Sequence, residues 1–262
     1  MSSKDKVLIT GASTGIGALY ADRFAKRGHD LVLVARDGAK LAALADRLSR
    51  ETGVTVEVLA ANLTNAIERG KVEDKLASDE TIAILVNNAG TILPGEFLDQ
   101  APDDVERLIA LNVTAPTRLA AVVAPRLAAQ GHGAIINISS ILGLTPEFGY
   151  AVYGATKAFV TFFSQSLNKT LGDKGVYVQA VLPAATRTEI WDKGGVDVNT
   201  VPGVMAVEDL VDAALAGFDR HEAVTIPPLQ NESEWLSYDA ARKAMLGSFQ
   251  QSKPAARYTS TK

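Results

Sequence analysis

Apolar residues fall along this chain in two rhythms. Short runs, VLIT (7–10), LVLVA (31–35), VTVEVLA (54–60), IAILVN (82–87), AIINIS (134–139), VYVQAVL (176–182) and AVTIP (223–227), are mostly apolar on both faces of an extended chain. Strands covered by helices above and below read this way. Between them, segments such as 16–27, 38–50 and 105–129 carry apolar residues three and four apart, and 151–171 reads as a further long helix. Strand, helix, strand, repeated six times, predicts an α/β fold: a doubly wound, mostly parallel sheet of seven strands with helices on both faces. No Pro/Gly/Ser-rich linker divides the 262 residues, so one domain over 1–262 is expected. Residues 228–262 are less regular and read as a C-terminal extension, with a frayed YTSTK end.

Composition narrows the function classes. There is no cysteine, which excludes a disulfide framework, a thiolate nucleophile and thiolate-bound metal. The three histidines, His29, His132 and His221, are scattered, so no metal site is expected. Net charge is −4, with 26 basic and 30 acidic residues interspersed, and no basic stripe marks a nucleic-acid partner. The opening MSSKDKVLIT lacks a signal-peptide core, and the longest uncharged stretch, 127–146, is broken by polar residues and glycines. A soluble cytoplasmic protein without a membrane partner is the expectation.

The first strand runs into TGASTGIG, Thr10 to Gly17, a Gly-x-x-x-Gly-x-Gly turn. Small residues there let the backbone turn sharply and approach a pyrophosphate at a helix N-terminus. Gly11, Ser13, Thr14, Gly15, Ile16 and Gly17 are therefore candidate dinucleotide ligands in a Rossmann-like fold, against the plainer reading of a tight turn. The second strand ends VLVARDG, with Ala35 where a carboxylate for a ribose 2′-hydroxyl would stand, and Arg36 after it. A guanidinium at that point can grip a 2′-phosphate, which favours NADP(H) over NAD(H). The competing readings are a solvated Arg36 and a role for Asp37, one position late.

The stretch SILGLTPEFGYAVYGATK places Ser140 thirteen residues before Tyr153 and Lys157 one helical turn after it. Alone, Tyr-x-x-x-Lys is a weak signal, and Tyr258–Lys262 repeats it with Met245 rather than a hydroxyl residue thirteen positions upstream. Tyr153 and Lys157 share one face of helix 151–171, however, and Ser140 follows strand 134–139 at the end where ligands bind in parallel sheets. Hydride addition to a ketone leaves charge on oxygen, so a proton donor must sit beside it. A tyrosine with a nearby ammonium can serve, the cation lowering the phenol's pKa, while Ser140 holds the same oxygen. The plainer reading is a packed Tyr153 and a surface Lys157.

Taken together, TGASTGIG (10–17), NNAG (87–90), LNVTAP (111–116), NISS (137–140) and YGATK (153–157) stand in the order of the short-chain dehydrogenase/reductase family. The chain closely resembles the compact single-domain branch of that family over about residues 6 to 227. The resemblance implies an acid/base role for Tyr153, and Lys157 binding the nicotinamide ribose while tuning Tyr153. It implies Ser140 positioning the substrate oxygen, a structural Ser139, and Asn112 holding a water on the proton path. Asn88, Ala89 and Gly90 would line the adenosine side of the cleft, with Asn62 and Leu63 near the adenine. Pro183 and a threonine, Thr188 or alternatively Thr186, would lie at the nicotinamide. Asn62 replaces the family's usual aspartate, and Ala184 its usual glycine.

Residues 188–205 follow the last nicotinamide contact and read as a substrate lid, with Ile190 and Trp191 its apolar members. With Leu142, Leu144 and Phe148 near Ser140, they suggest an uncharged ketone or aldehyde, or the matching alcohol. The expected function is NADP(H)-dependent carbonyl reduction or alcohol oxidation. A non-catalytic NADP-binding regulator and an epimerase or dehydratase on the same fold are the alternatives. Apolar excess on 105–129 and 151–171, together with the habit of the family, suggests a homodimer or homotetramer.

Overall fold

The computed structural model describes residues 5–259, without the side chains of residues 192 and 193. The chain divides into two compact units, Met1–Pro228 and Leu229–Lys262. The first holds strands β1 (Lys6–Thr10), β2 (Leu31–Ala35), β3 (Val56–Ala60), β4 (Ile82–Asn87), β5 (Gly133–Ile138), β6 (Val176–Val181) and β7 (Val224–Thr225). Its helices are α1 (Gly15–Lys26), α2 (Gly38–Thr52), α3 (Ala66–Ser78), α4 (Pro102–Ile109), α5 (Ala115–Gln130), α6 (Ala151–Leu171), α7 (Ile190–Gly194) and α8 (Val207–Asp219).

The strands form one sheet in the order β3-β2-β1-β4-β5-β6-β7, every pair parallel. Strand order reverses between β1 and β4, and a crevice opens at such a switch point outside the C-terminal ends of the strands. Alternate residues of each strand serve opposite cores, as the period of two requires. Val7, Ile9, Leu31, Leu33 and Ile136 pack with Tyr20 and Phe24 of α1, Leu41 and Leu48 of α2 and Leu215 of α8. Leu8, Val32, Val34, Leu85 and Ile135 pack on the other face with Leu76 of α3, Leu119, Val123 and Leu127 of α5 and Leu171 of α6. The doubly wound, seven-stranded parallel fold expected from the two apolar rhythms is the fold observed.

Three expectations change in detail. Strand 54–60 shortens to β3 at the sheet edge, where Glu57 and Val58 are exposed, so only part of it needed to be apolar. Segment 105–129 is not one regular helix. A π turn at Ala110–Thr114 separates α4 from α5, because Pro116 has no N–H to give the carbonyl of residue 112. The run Pro102–Gln130 is long and apolar enough by composition to cross a membrane; the buried Leu119, Val123 and Leu127 belong to the core against the sheet.

The second unit is more regular than its composition suggested. It contains α9 (Glu232–Ala244), a 3-10 turn at Met245–Phe249 and α10 (Ala256–Thr259). The Asn231 side chain accepts from the Ser233 N–H, acids occupy the first turn of α9 and Arg242 and Lys243 the last. Caps and charge order therefore support α9 where apolar periodicity is faint. Of the expected frayed end, residues 260–262 lie outside the described residues, and with them Lys262 of the Tyr258–Lys262 pair.

Candidate active site

The cleft is built at the β1/β4 switch. β1 ends in Thr10, and the chain turns through Gly11, whose φ of +65° is open to glycine alone at little cost. A Cβ on Gly17 would collide with the Gly11 carbonyl oxygen and with Asn88 Nδ2, so the first turn of α1 can sit on the loop only as glycine. Thr14 is the N-cap of α1 without a side-chain cap bond, and Ser13 lies in the turn before it. Ile16 packs on the core beneath, and Gly15 carries a φ of +56°. From the neighbouring strand, Asn88 Nδ2 donates to the Thr10 and Gly11 carbonyls at 3.0 and 3.1 Å. Asn88 thus braces the glycine turn, while Ala89 and Gly90 continue along the cleft wall.

At the far end of the turn, Arg36 is exposed and makes no hydrogen bond or ion pair among the described residues. Asp37 is engaged elsewhere: it is the N-cap of α2 and its carboxylate accepts from the Lys40 N–H at 3.0 Å. Asn62 Oδ1 accepts from both the N–H and the hydroxyl of Thr64, at 3.1 and 2.9 Å. A backbone N–H can only donate, so the oxygen's orientation is fixed and both lone pairs are used. With its oxygen held by Thr64, Asn62 has its Nδ2 left to offer. Leu63 is buried next to it.

On the other side of the switch, β5 delivers Ser139 and Ser140. Ser139 is structural: its hydroxyl bonds the Lys157 carbonyl at 2.7 Å and lies 2.8 Å from Thr161 Oγ1. Ser140 is buried, accepts from Leu142 N–H at 3.1 Å, and lies beside the Tyr153 phenol. Burial pushes that phenol up to about 12, and the neighbouring Ser140 hydroxyl works against the rise. Lys157 is buried as well, and desolvation pushes its ammonium down to about 8. Its Nζ lies 5.6 Å from the Tyr153 ring centroid and donates to the Ile138 carbonyl at 2.9 Å. Burial rather than the neighbouring cation sets the direction for Tyr153 here, so the lowering expected from Lys157 does not dominate.

Asn112 lies in the π turn and is buried. Its side chain spans two elements: Oδ1 accepts from the Thr91 N–H, while Nδ2 donates to the Thr91 carbonyl and to Thr156 Oγ1 at 3.2 Å. With its side chain used in this way, Asn112 ties the π turn to the segment after β4 and to α6. A Cβ on Gly90 would lie 3.4 Å from Asn112 Oδ1 and 3.6 Å from Lys157 Nζ, which brings the β4 wall, the π turn and α6 to one place.

After β6, Pro183 accepts from Ile141 N–H at 3.0 Å and from Ser140 Oγ at 3.4 Å, tying the loop after β6 to the serine. Ala184 replaces a glycine without strain, since His221 is the only non-glycine with positive φ among the described residues. Thr186 is buried and turns its hydroxyl onto the Ala184 carbonyl, whereas Thr188 lies 3.3 Å from where a Gly15 Cβ would stand. Thr188 is therefore the threonine over the glycine turn. Of the apolar candidates, Leu142 and Leu144 are half-buried beside Ser140 and Phe148 is exposed. Ile190 and Trp191 open α7, and the Trp191 indole donates to the Thr186 carbonyl at 2.7 Å. Among the described residues no cluster of three His, Cys, Asp or Glu could hold a metal ion.

A family model for short chain dehydrogenases matches residues 5–198. The chain belongs to the short chain dehydrogenase family. This dehydrogenase is similar in structure to a short-chain dehydrogenase from Sphingobium yanoikuyae in complex with NADPH. The two are 59% identical, with a TM-score of 0.96 over 97% of this chain and 99% of that one. The bulky-bulky ketone specific alcohol dehydrogenase from Comamonas testosteroni is 52% identical, with a TM-score of 0.92 over 98% of this chain and 99% of that one. Among curated proteins, 17-beta-hydroxysteroid dehydrogenase type 3 of Homo sapiens is 39% identical over 184 residues, 69% of this chain and 59% of that protein. The very-long-chain 3-oxoacyl-CoA reductase of Bos taurus is 37% identical over 198 residues, 71% of this chain and 63% of that protein. The chain thus spans about three fifths of the length of these two curated relatives.

Three positions of this dehydrogenase had no place in the sequence expectations. Thr10 is buried; its hydroxyl donates to the Val86 carbonyl and accepts the N–H groups of Asn88 and Ala89, at 3.0 and 3.1 Å, which clamps β4 to β1. Thr156 joins Asn112 to the Tyr153 carbonyl, to which it donates at 2.7 Å. Gly143 lets the turn after Ser140 rest on the backbone of α6, where a Cβ would be 2.7 Å from the Ala158 nitrogen. A threonine at the end of β1, a threonine inside YGATK and a glycine between Ser140 and Tyr153 were visible in the sequence. Their partners are far away along the chain, and only the fold names them.

Proposed function

We propose that this chain is an NADP(H)-dependent oxidoreductase that moves a hydride between nicotinamide and a bulky uncharged ketone, an aldehyde or the matching alcohol. The observation that carries the reading is the Tyr153 phenol on α6, beside Ser140 at the C-terminal end of β5 and with the Lys157 ammonium 5.6 Å from its ring centroid. The residues fit a dinucleotide. Gly17 lets the first turn of α1 close onto the Gly11 carbonyl and Asn88 and so shapes the glycine turn, and Arg36 offers an uncommitted guanidinium while Asp37 is spent as a helix cap. The NADPH complex of the relative that is 59% identical supports the same choice of cofactor.

The bound nicotinamide supplies the hydride in reduction and takes it up in oxidation. Tyr153 Oη passes its proton to the carbonyl oxygen as that oxygen gains charge, and takes it back in the reverse direction. Ser140 hydrogen-bonds that oxygen and fixes its place. Lys157, as the ammonium, stabilises the phenolate that Tyr153 becomes, and Asn112 holds a water on the proton path that runs through Lys157. Gly11, Ser13, Thr14, Gly15, Ile16, Asn62, Leu63, Asn88, Ala89, Gly90, Pro183 and Thr188 shape the cofactor cleft. Leu142, Leu144, Phe148, Ile190 and Trp191 present apolar surface to the substrate, and residues 188–205 close over it. The ketone specificity named for the Comamonas enzyme supports a large, uncharged substrate. We read the protein as cytoplasmic and homo-oligomeric.

The test is NADPH consumption over a panel of ketones graded in size on both sides of the carbonyl. Turnover that rises with bulk supports the reading. Isomerisation without net NADPH consumption indicates an epimerase, and tight NADPH binding without turnover on any carbonyl indicates a regulator.

A further inference from the structure

Lys40 stands in the first turn of α2, four residues beyond Arg36. Its side chain is about half exposed, and its Nζ lies 3.6 Å from a carboxylate oxygen of Glu189, itself 55% exposed. Glu189 follows Thr188, which lies against Gly15 of the glycine turn. The ammonium therefore sits where the first and second strand-to-helix turns face each other. In a doubly wound fold the ribose of the adenosine half lies between these two turns. Two cations stand on this stretch, Arg36 uncommitted and Lys40 paired with Glu189 of the lid, while the Asp37 carboxylate between them in sequence is held as a cap.

We infer that Lys40 is a second ligand of the cofactor's 2′-phosphate and that Glu189 is the counter-ion the phosphate displaces. This rests on the proposed NADP(H) preference and says how that preference is built. An exposed ion pair at this distance is weak. A phosphate near neutrality carries up to two charges and three acceptor oxygens, so it outcompetes one carboxylate for the ammonium. Arg36 alone would grip the phosphate from one side; Lys40 closes the other. When the phosphate takes Lys40, Glu189 loses its partner on α2, and the first residues of the lid are released from the adenosine end. A cofactor without the phosphate leaves the Lys40–Glu189 pair in place. NADP(H) thus differs from NAD(H) in two ways, through an added cation contact and through a freed lid.

Cofactor binding by fluorescence titration, with no carbonyl present, tests this. In the wild type NADPH binds more tightly than NADH. Lys40→Met should weaken NADPH by about tenfold, the scale of one lost hydrogen bond to a charged group, and leave NADH unchanged. Glu189→Gln should tighten NADPH by about two- to threefold, as loss of a weak surface competitor would, and should do nothing in the Lys40→Met background. Adenosine 2′,5′-bisphosphate, which carries only the adenosine end, should follow the same pattern in displacement assays. Equal weakening of NADPH and NADH by Lys40→Met, or no change in either, overturns the inference while the NADP(H) preference stands. So does a Glu189→Gln effect that persists without Lys40. Equal affinity of the wild type for both cofactors removes the preference itself, and this inference with it. Both side chains are surface groups, and an unchanged melting temperature shows that the variants are folded.

Discussion

At the residue scale, the proposed chemistry turns on two groups, the half-buried Tyr153 and the buried Lys157, whose needs are opposite. Tyr153 is held as the neutral phenol by burial, and Lys157 is pushed down to about 8 by the same cause. Reduction requires a protonated phenol and an ammonium beside it. The phenol stays protonated at any ordinary pH, so the upper limit comes from Lys157. Its ammonium is present below about 8 and is lost above it, and kcat/KM for ketone reduction should fall as pH rises through that value. A profile flat to pH 10 would contradict the assignment. Asp37→Ala should lower stability by about 1 kcal/mol through the lost cap and leave the NADPH-over-NADH ratio unchanged, measured by melting and by titration. Serine, tyrosine and lysine were legible in the sequence because their spacing is local to one strand end and one helix. Asp37 was ambiguous there, because a helix cap and a ribose ligand use the same residue type at neighbouring positions. Only the bond to the Lys40 N–H separates them.

At the scale of elements, the site depends on how β1, β4 and α6 are held to one another. Thr10 joins β1 to β4 with one donated and two accepted hydrogen bonds in a buried setting. Thr10→Val keeps the shape and strands two N–H groups, at a cost of about 1–3 kcal/mol each. The melting temperature should fall by several degrees, and NADPH affinity by about tenfold if the glycine turn shifts with its brace. Retained affinity would place the brace outside the cofactor cradle. Most strands and helices could be read from their apolar periods, since each buries one or both faces in a core formed at the sheet. The π turn could not: the apolar period runs on through 105–129, and Pro116 interrupts only the backbone bonding that the period does not report. Helix α9 was hidden for the opposite reason, having caps and ordered end charges but a weak apolar stripe.

For the whole molecule, parallel winding fixes where function resides. With every strand parallel and the order reversing between β1 and β4, the glycine turn, Asn88, Ser140 and Pro183 all emerge on one edge of the sheet. On the outer side of α6, Phe159 is 40% and Phe162 72% exposed, so this helix carries apolar surface that its own chain leaves uncovered. A homodimer or homotetramer should be seen by light scattering at micromolar concentration, and Phe162→Glu should shift it toward monomer. A monomeric wild type would argue that this surface has another use. The central claim concerns one proton, and it is tested most directly by comparing Tyr153→Phe with the wild type in two measurements, NADPH affinity and ketone reduction. The account predicts an unchanged dissociation constant with turnover reduced by about 10²–10⁴-fold or more, the scale of a lost general acid. Turnover within a few-fold of the wild type would contradict it.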